Sequence, residues 1–169
     1  LQQAPDANDP ERKLASFYLC ESYTNLGLTH LHMSMYGRAE SELKFALTIH
    51  PEYADLHFHL AMVYYKNGDY EKAEKQFSEA VRINPRYARA LMYRGLVQLR
   101  LGNESGLQSL EMAASVQPAY RHERYEQALL MYRSGNIEQS LNVLQQIADM
   151  DVEQISFVLD RALRLMKED

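Results

Sequence analysis

Residues 54–87 read ADLHFHLAMVYYKNGDYEKAEKQFSEAVRINPRY, and the pattern of this stretch decides the fold. Apolar residues recur at helical spacing on both sides of the turn Lys66-Asn67-Gly68-Asp69, which predicts two helices folded back on each other as a hairpin. Gly68 stands where the first helix must stop and permits the left-handed backbone of a C-cap, while Pro85 ends the second helix.

Working outward, the same pattern recurs on both sides. Pro51, Pro85 and Pro118 stand 34 and then 33 residues apart, each followed two residues later by a tyrosine, Tyr53, Tyr87 and Tyr120. Gly102 and Gly135 repeat the stop at Gly68. Small residues fall in the columns Gly27, Ala61, Gly95, Ala128 and Ala46, Ala80, Ala113, where a large side chain would hold two helix axes apart. Leu26 and Leu60 on the first helices, and Leu43, Phe77, Leu110 and Leu144 on the second, are expected to fill the remaining space as core. A self-similarity of this period indicates stacked supersecondary units.

With these columns in phase, the sequence resembles the tetratricopeptide repeat (TPR) family over residues 20 to about 152, in four units that begin at Cys20, Ala54, Ala88 and Arg121. The resemblance implies an all-α fold, a right-handed α-α superhelix (TPR solenoid) of antiparallel helix pairs. The expected division is a disordered or extended segment at 1–9, an extended first helix with the first repeat at 10–53, and repeats at 54–87, 88–120 and 121–152. A capping helix or truncated fifth repeat follows at 153–169. Some positions depart from the pattern: Arg94 and Gln127 occupy the column of Leu26 and Leu60, Gln98 replaces an aromatic, and Val152 replaces the closing proline.

The ends supply what a stacked array needs to cover its terminal faces. Asp9-Pro10-Glu11 reads as a helix start with Asp9 as N-cap, and no breaker follows until about Ser34, so the first helix is expected to be long. Ile155, Leu159, Ala162 and Met166 form an apolar stripe on a helix from about Glu153 to Lys167. The start at Leu1, without methionine, reads as a processed protein or a piece of a longer one.

Charge and chemistry exclude several function classes. With 18 basic and 23 acidic residues and a net charge of -5, the chain lacks the basic field that phosphate-backbone binding needs, so nucleic acid is not an expected partner. No run approaches the roughly 18 apolar residues of a membrane span. A single cysteine, Cys20, makes no internal disulfide and stands beside no evident base. The compartment stays open, with the cytoplasm favoured. His30 and His32, like His57 and His59, are two apart and so point to different sides of a helix, which argues against a metal site. No phosphate loop, nucleophile elbow or acid pair is present, so the reading is of a non-enzymatic chain without cofactors.

Function is then sought on the concave face that first helices line in such arrays. One step round from the packing columns lie Thr24, Leu28 and Leu31; Phe58, Met62 and Tyr65; Met92, Leu96 and Leu99; and Tyr125, Leu129 and Tyr132. Nearly all are apolar or aromatic, which predicts an open apolar groove with a basic rim of His32, Lys66, Arg89, Arg100 and Arg133. Such a groove suits an amphipathic helix or an apolar segment of another protein, its acidic flank toward the rim. Family members that grip a C-terminal carboxylate do so from positions held here by Thr24, Leu28, His59, Arg89 and Tyr93, where only Arg89 keeps a charge; the resemblance therefore argues against a carboxylate clamp. Between Arg82 and Arg100 five arginines stand without an acid, a basic belt open to an acidic partner. The expected role is a scaffold or adaptor. The alternatives are the client-binding module of a larger co-chaperone or assembly factor, and a self-associating repeat protein built through open array ends.

Overall fold

The computed structural model describes residues 10–150. The expected segment at 1–9, its Asp9 cap, and the helix expected from about Glu153 lie outside the described residues. Within them the chain is all-α, eight α-helices and one short 3-10 turn, and it divides between Pro85 and Arg86 into two compact units.

The N-terminal unit holds α1 (Pro10–His32), α2 (Tyr36–Ile49), α3 (Ala54–Asn67) and α4 (Tyr70–Ile83). Helix α1 is long, as its sequence predicts, and Pro10 is the first of its described residues. Each hairpin is antiparallel. Cys20 Sγ lies 3.8 Å from Ala46 O while Gly27 faces Ala39 and Leu43, and His57 Nδ1 pairs with Gln76 Oε1 at 2.8 Å while the Tyr65 and Tyr70 rings stand 5.7 Å apart beside the turn. The two hairpins join where α2 lies against α3. There the Tyr64 hydroxyl donates to Glu40 Oε1 at 2.8 Å, and Lys44 donates to the same oxygen at 2.6 Å.

The C-terminal unit holds α5 (Ala88–Arg100), α6 (Ser105–Val116), the 3-10 turn Pro118–Tyr120, α7 (Glu123–Arg133) and α8 (Ile137–Asp149). Helices α5 and α6 pair, as do α7 and α8, but the hairpins join differently here: α8 lies along α5. The Tyr93 hydroxyl donates to Asp149, Gln145 Nε2 donates to the Tyr93 oxygen at 3.4 Å, and Arg100 reaches Glu138 at 3.9 Å.

The repeated columns have the predicted causes. Ala46, Ala80, Ala113, Ala61 and Ala128 are fully buried, as are Leu43, Phe77, Leu110 and Leu144. Gly68, Gly102 and Gly135 adopt φ of 84°, 75° and 87°, the left-handed stop. A further small column, Ala39, Ala73, Gly106 and Ser140, is also buried. It has the same period as the others, but glycine and serine take the place of alanine in its later members, so the sequence alone does not mark it as a packing column. A Cβ on Gly106 would stand 2.5 Å from the Gly95 carbonyl oxygen, so the α5–α6 axes approach closely only because both positions are bare. Ser140 uses its smallness differently, donating its hydroxyl to Ala128 O at 2.6 Å.

One expected core position is corrected. Leu60 is buried at 2% but Leu26 is 43% exposed. Leu60 lies between His57 and Tyr64 on the side of α3 that α2 and its following turn cover; His57 Nε2 is 2.8 Å from Pro51 O and Tyr64 bonds Glu40. No described helix covers the same side of α1.

Candidate functional site

The first-helix face expected to form an apolar groove is built differently in the two units. In the N-terminal unit α1 and α3 meet, and their outward residues grade from core to surface. Phe58 is 2% exposed because its ring turns into its own hairpin against Phe77, and Met62, one turn on, keeps 8%. Leu28 and Tyr65 are half-buried, Tyr65 packing edge-on against Tyr70 at 5.7 Å, and Lys66 is exposed. Thr24 and Leu31 flank Leu28, both half-buried, with the Thr24 hydroxyl returned to the Cys20 carbonyl at 2.8 Å.

In the C-terminal unit the corresponding face of α5 is not open. Met92 and Leu96 are fully buried and Leu99 is 2% exposed. Tyr93 and Arg100 stand two turns apart on one side of α5 with Leu96 between them, and their bonds to Asp149 and Glu138 lay α8 along that side. The expected open stripe is thus corrected at these three residues: a helix of the chain itself occupies the face. Tyr125 is likewise fully buried, against the expectation of exposure. Its hydroxyl has no hydrogen-bond partner among the described residues. Burial, aided by the nearby Glu111 and Glu126 carboxylates, pushes the phenol up to about 12. Leu129 and Tyr132 on α7 are half-buried and Arg133 is exposed.

Residues 30–96 match the family model described as tetratricopeptide repeat. Over those residues the chain is similar to the tetratricopeptide repeat. Solved structures agree in fold. The crystal structure of MamA is similar with a TM-score of 0.63 at 17% identity, covering 91% of this chain and 98% of that one. The second TPR domain of human RPAP3, solved in complex with an HSP70 peptide, is similar at 0.61 and 21% identity, with coverage of 80% and 99%. The second TPR of Spaghetti (RPAP3), bound to an HSP90 peptide, is similar at 0.59 and 24% identity, with coverage of 63% and 98%. No curated protein sequence matches the chain.

Within this repeat array the basic residues are less available than their spacing suggested. Arg82 is held by Glu79 at 2.8 Å and by Glu52 at 3.1 Å, so the acids that balance the belt come from earlier in the sequence. Arg94 turns into its hairpin and donates to Ser109 Oγ at 3.1 Å, and that hydroxyl donates to the buried Gln98 Oε1 at 2.7 Å. This explains the departures at Arg94 and Gln98: together with Ser109 they satisfy one another as a polar group inside the α5–α6 pair. Arg100 is engaged by Glu138, whereas Arg89 and Arg133 are exposed. At the positions compared with a carboxylate clamp, Thr24 is returned to its own helix and Tyr93 is fully buried and bonded to Asp149.

The other candidates for chemistry resolve into packing. Cys20 is buried, and burial pushes its thiol up, away from the thiolate a nucleophile needs. His57 is held between Gln76 and Pro51 O. Among the described residues no three His, Cys, Asp or Glu side chains gather as metal ligands, and no helix is long and apolar enough to cross a membrane.

Proposed function

We propose that this tetratricopeptide array is a non-enzymatic protein-binding module, and that the α1–α3 face of its N-terminal unit takes an amphipathic helix of another protein. The observation that carries the reading is α8. In the C-terminal unit the matching face of α5 already holds an amphipathic helix, whose Leu141, Leu144 and Ile147 are buried and whose acids Glu138 and Asp149 meet Arg100 and Tyr93. That is the chemistry a ligand of this face would bring, an apolar stripe with an acidic flank. One period earlier, His59 matches Tyr93, Met62 matches Leu96, Tyr65 matches Leu99 and Lys66 matches Arg100. This earlier face keeps Leu28, Tyr65 and Lys66 toward solvent. On α7, Leu129, Tyr132 and Arg133 are a smaller patch of the same composition.

The peptide complexes among the similar folds support protein binding in general. A clamp for a chain-terminal carboxylate is not the favoured mode, since Leu28 supplies no donor and the Tyr93 hydroxyl is committed to Asp149. The direct test titrates two probes. A helical peptide with the α8 pattern, apolar on one face and acidic at both ends, is expected to bind and to weaken at least tenfold, about 1.4 kcal/mol, with Leu28→Glu and Tyr65→Glu together. The peptide SRMEEVD, as found with the Spaghetti domain, is expected to bind no better than its C-terminal amide. A carboxylate-dependent gain, or helix binding indifferent to the two substitutions, would refute the reading.

A further inference from the structure

Among the described residues, the large apolar side chains left exposed concentrate on the first hairpin: Leu14, Phe17, Tyr18, Leu19, Leu26 and Met33 on or beside α1, and Phe45 on α2. Three of these, Leu19, Leu26 and Phe45, lie with Tyr23 on one face. The Tyr23 and Phe45 rings are 4.2 Å apart, which places the face on the side of the hairpin away from α3, because α2 turns Glu40 toward α3. Exposures of 46%, 43% and 43% for Leu19, Leu26 and Phe45 mark an apolar surface rather than scattered residues.

The chain contains its own control for this face. One period later, His57, Leu60 and Tyr64 replace Tyr23, Leu26 and His30. There the column is covered by α2 and its following turn, and Leu60 falls to 2% exposure. The interface that joins the hairpins of this unit would therefore continue on α1 if a helix lay over it.

We infer that the helix is α1 of a second copy, giving a two-fold dimer. The face is self-complementary in the antiparallel sense. With the axis between Ser22 and Tyr23, Leu19 of each copy meets Leu26 of the other, Ser16 meets Thr29, Ala15 meets His30, and Arg12 lies along Met33. Apolar groups meet apolar ones, and along α1 no like-charged side chains are opposed. That is what an isologous contact requires, with Phe45 and Tyr23 as the aromatic anchors that dominate such interfaces. This surface lies opposite the α1–α3 face proposed for partner helices, so both can be occupied at once.

The test is the mass of the full chain in solution across about 5 to 200 μM, with a dimer of about 39 kDa, twice 19.6 kDa, expected at the upper end. Leu26→Glu with Phe45→Glu should return the monomer at every concentration while leaving the helical circular dichroism unchanged, since both side chains are exposed. Leu28→Glu with Tyr65→Glu should leave the dimer intact. Under oxidation Ser22→Cys should cross-link one copy to another, and a mixture of Leu19→Cys and Leu26→Cys chains should do so where either alone does not. A monomer throughout, which would leave the face to a helix of a different protein, or a dimer that survives Leu26→Glu with Phe45→Glu, would overturn the inference.

Discussion

Ser34 and Gly68 stand one period apart and do the same work with unequal residues. Each closes the first helix of its hairpin with a left-handed backbone, φ 57° at Ser34 and 84° at Gly68. A side chain in that region costs roughly 1–2 kcal/mol, and only glycine avoids it. Ser34→Gly is therefore expected to raise stability by about 1 kcal/mol, and Gly68→Ala to lower it by a similar amount although a Cβ there meets nothing within 4 Å; equilibrium urea unfolding reads both. Tyr125 presents the other residue-scale cost, a fully buried hydroxyl without a partner among the described residues. Tyr125→Phe should be neutral or stabilising by about 1 kcal/mol near pH 7. The fold keeps the phenol neutral. Its contribution is thus complete below the ordinary tyrosine value near 10 and is lost as pH rises through about 12. Between those values the wild type should lose stability more steeply than Tyr125→Phe, a difference measurable by denaturation at a series of alkaline pH.

At the level of the element, the helices were legible because each has a local cause: glycine stops, proline ends and apolar stripes at helical spacing. The long α1 followed from Pro10 and the lack of a breaker. What the sequence concealed was how closely the α5–α6 pair approaches. Gly106 resembles a loop residue in an alanine column, yet a Cβ on it would meet Gly95 O at 2.5 Å and Leu99 at 2.7 Å. Gly106→Val should cost about 2–3 kcal/mol by forcing the two helices apart. Gly37→Ala on α2, where a Cβ meets nothing within 4 Å, should instead gain about 0.5–1 kcal/mol from helix propensity. Thermal melts of the two variants, shifting in opposite directions, separate axis spacing from propensity. The α2–α3 joint has its own electrostatic signature. Lys44 and, more weakly, Tyr64 hold the Glu40 carboxyl below the usual carboxylate range. The stabilisation this brings is present above that range and lost as pH falls through the lowered value.

For the whole molecule, period and columns were enough to give the class of fold, since a repeat states its packing several times over. The site was less legible. A helical wheel places Met92, Leu96 and Leu99 on the outward side of α5, but it holds no information on whether a later helix returns to cover them, as α8 does. Phe58 was misplaced for a different reason: a large ring one step from the packing column can swing inward, and it does so against Phe77. Thr24, Leu28, Leu31, His32, Tyr65, Lys66, Leu129, Tyr132 and Arg133 are members of the expected surface that solvent reaches. They narrow the proposed site to the α1–α3 face and a smaller patch on α7. The account rests on that first face being a seat for a helix. The measurement that tests it most directly is fluorescence anisotropy of a labelled helical peptide with the α8 pattern, titrated with the wild type and with the Leu28→Glu, Tyr65→Glu variant of unchanged circular dichroism. Saturable binding by the wild type with at least a tenfold loss in the variant is the predicted result; equal binding by both, or none by the wild type, would contradict it.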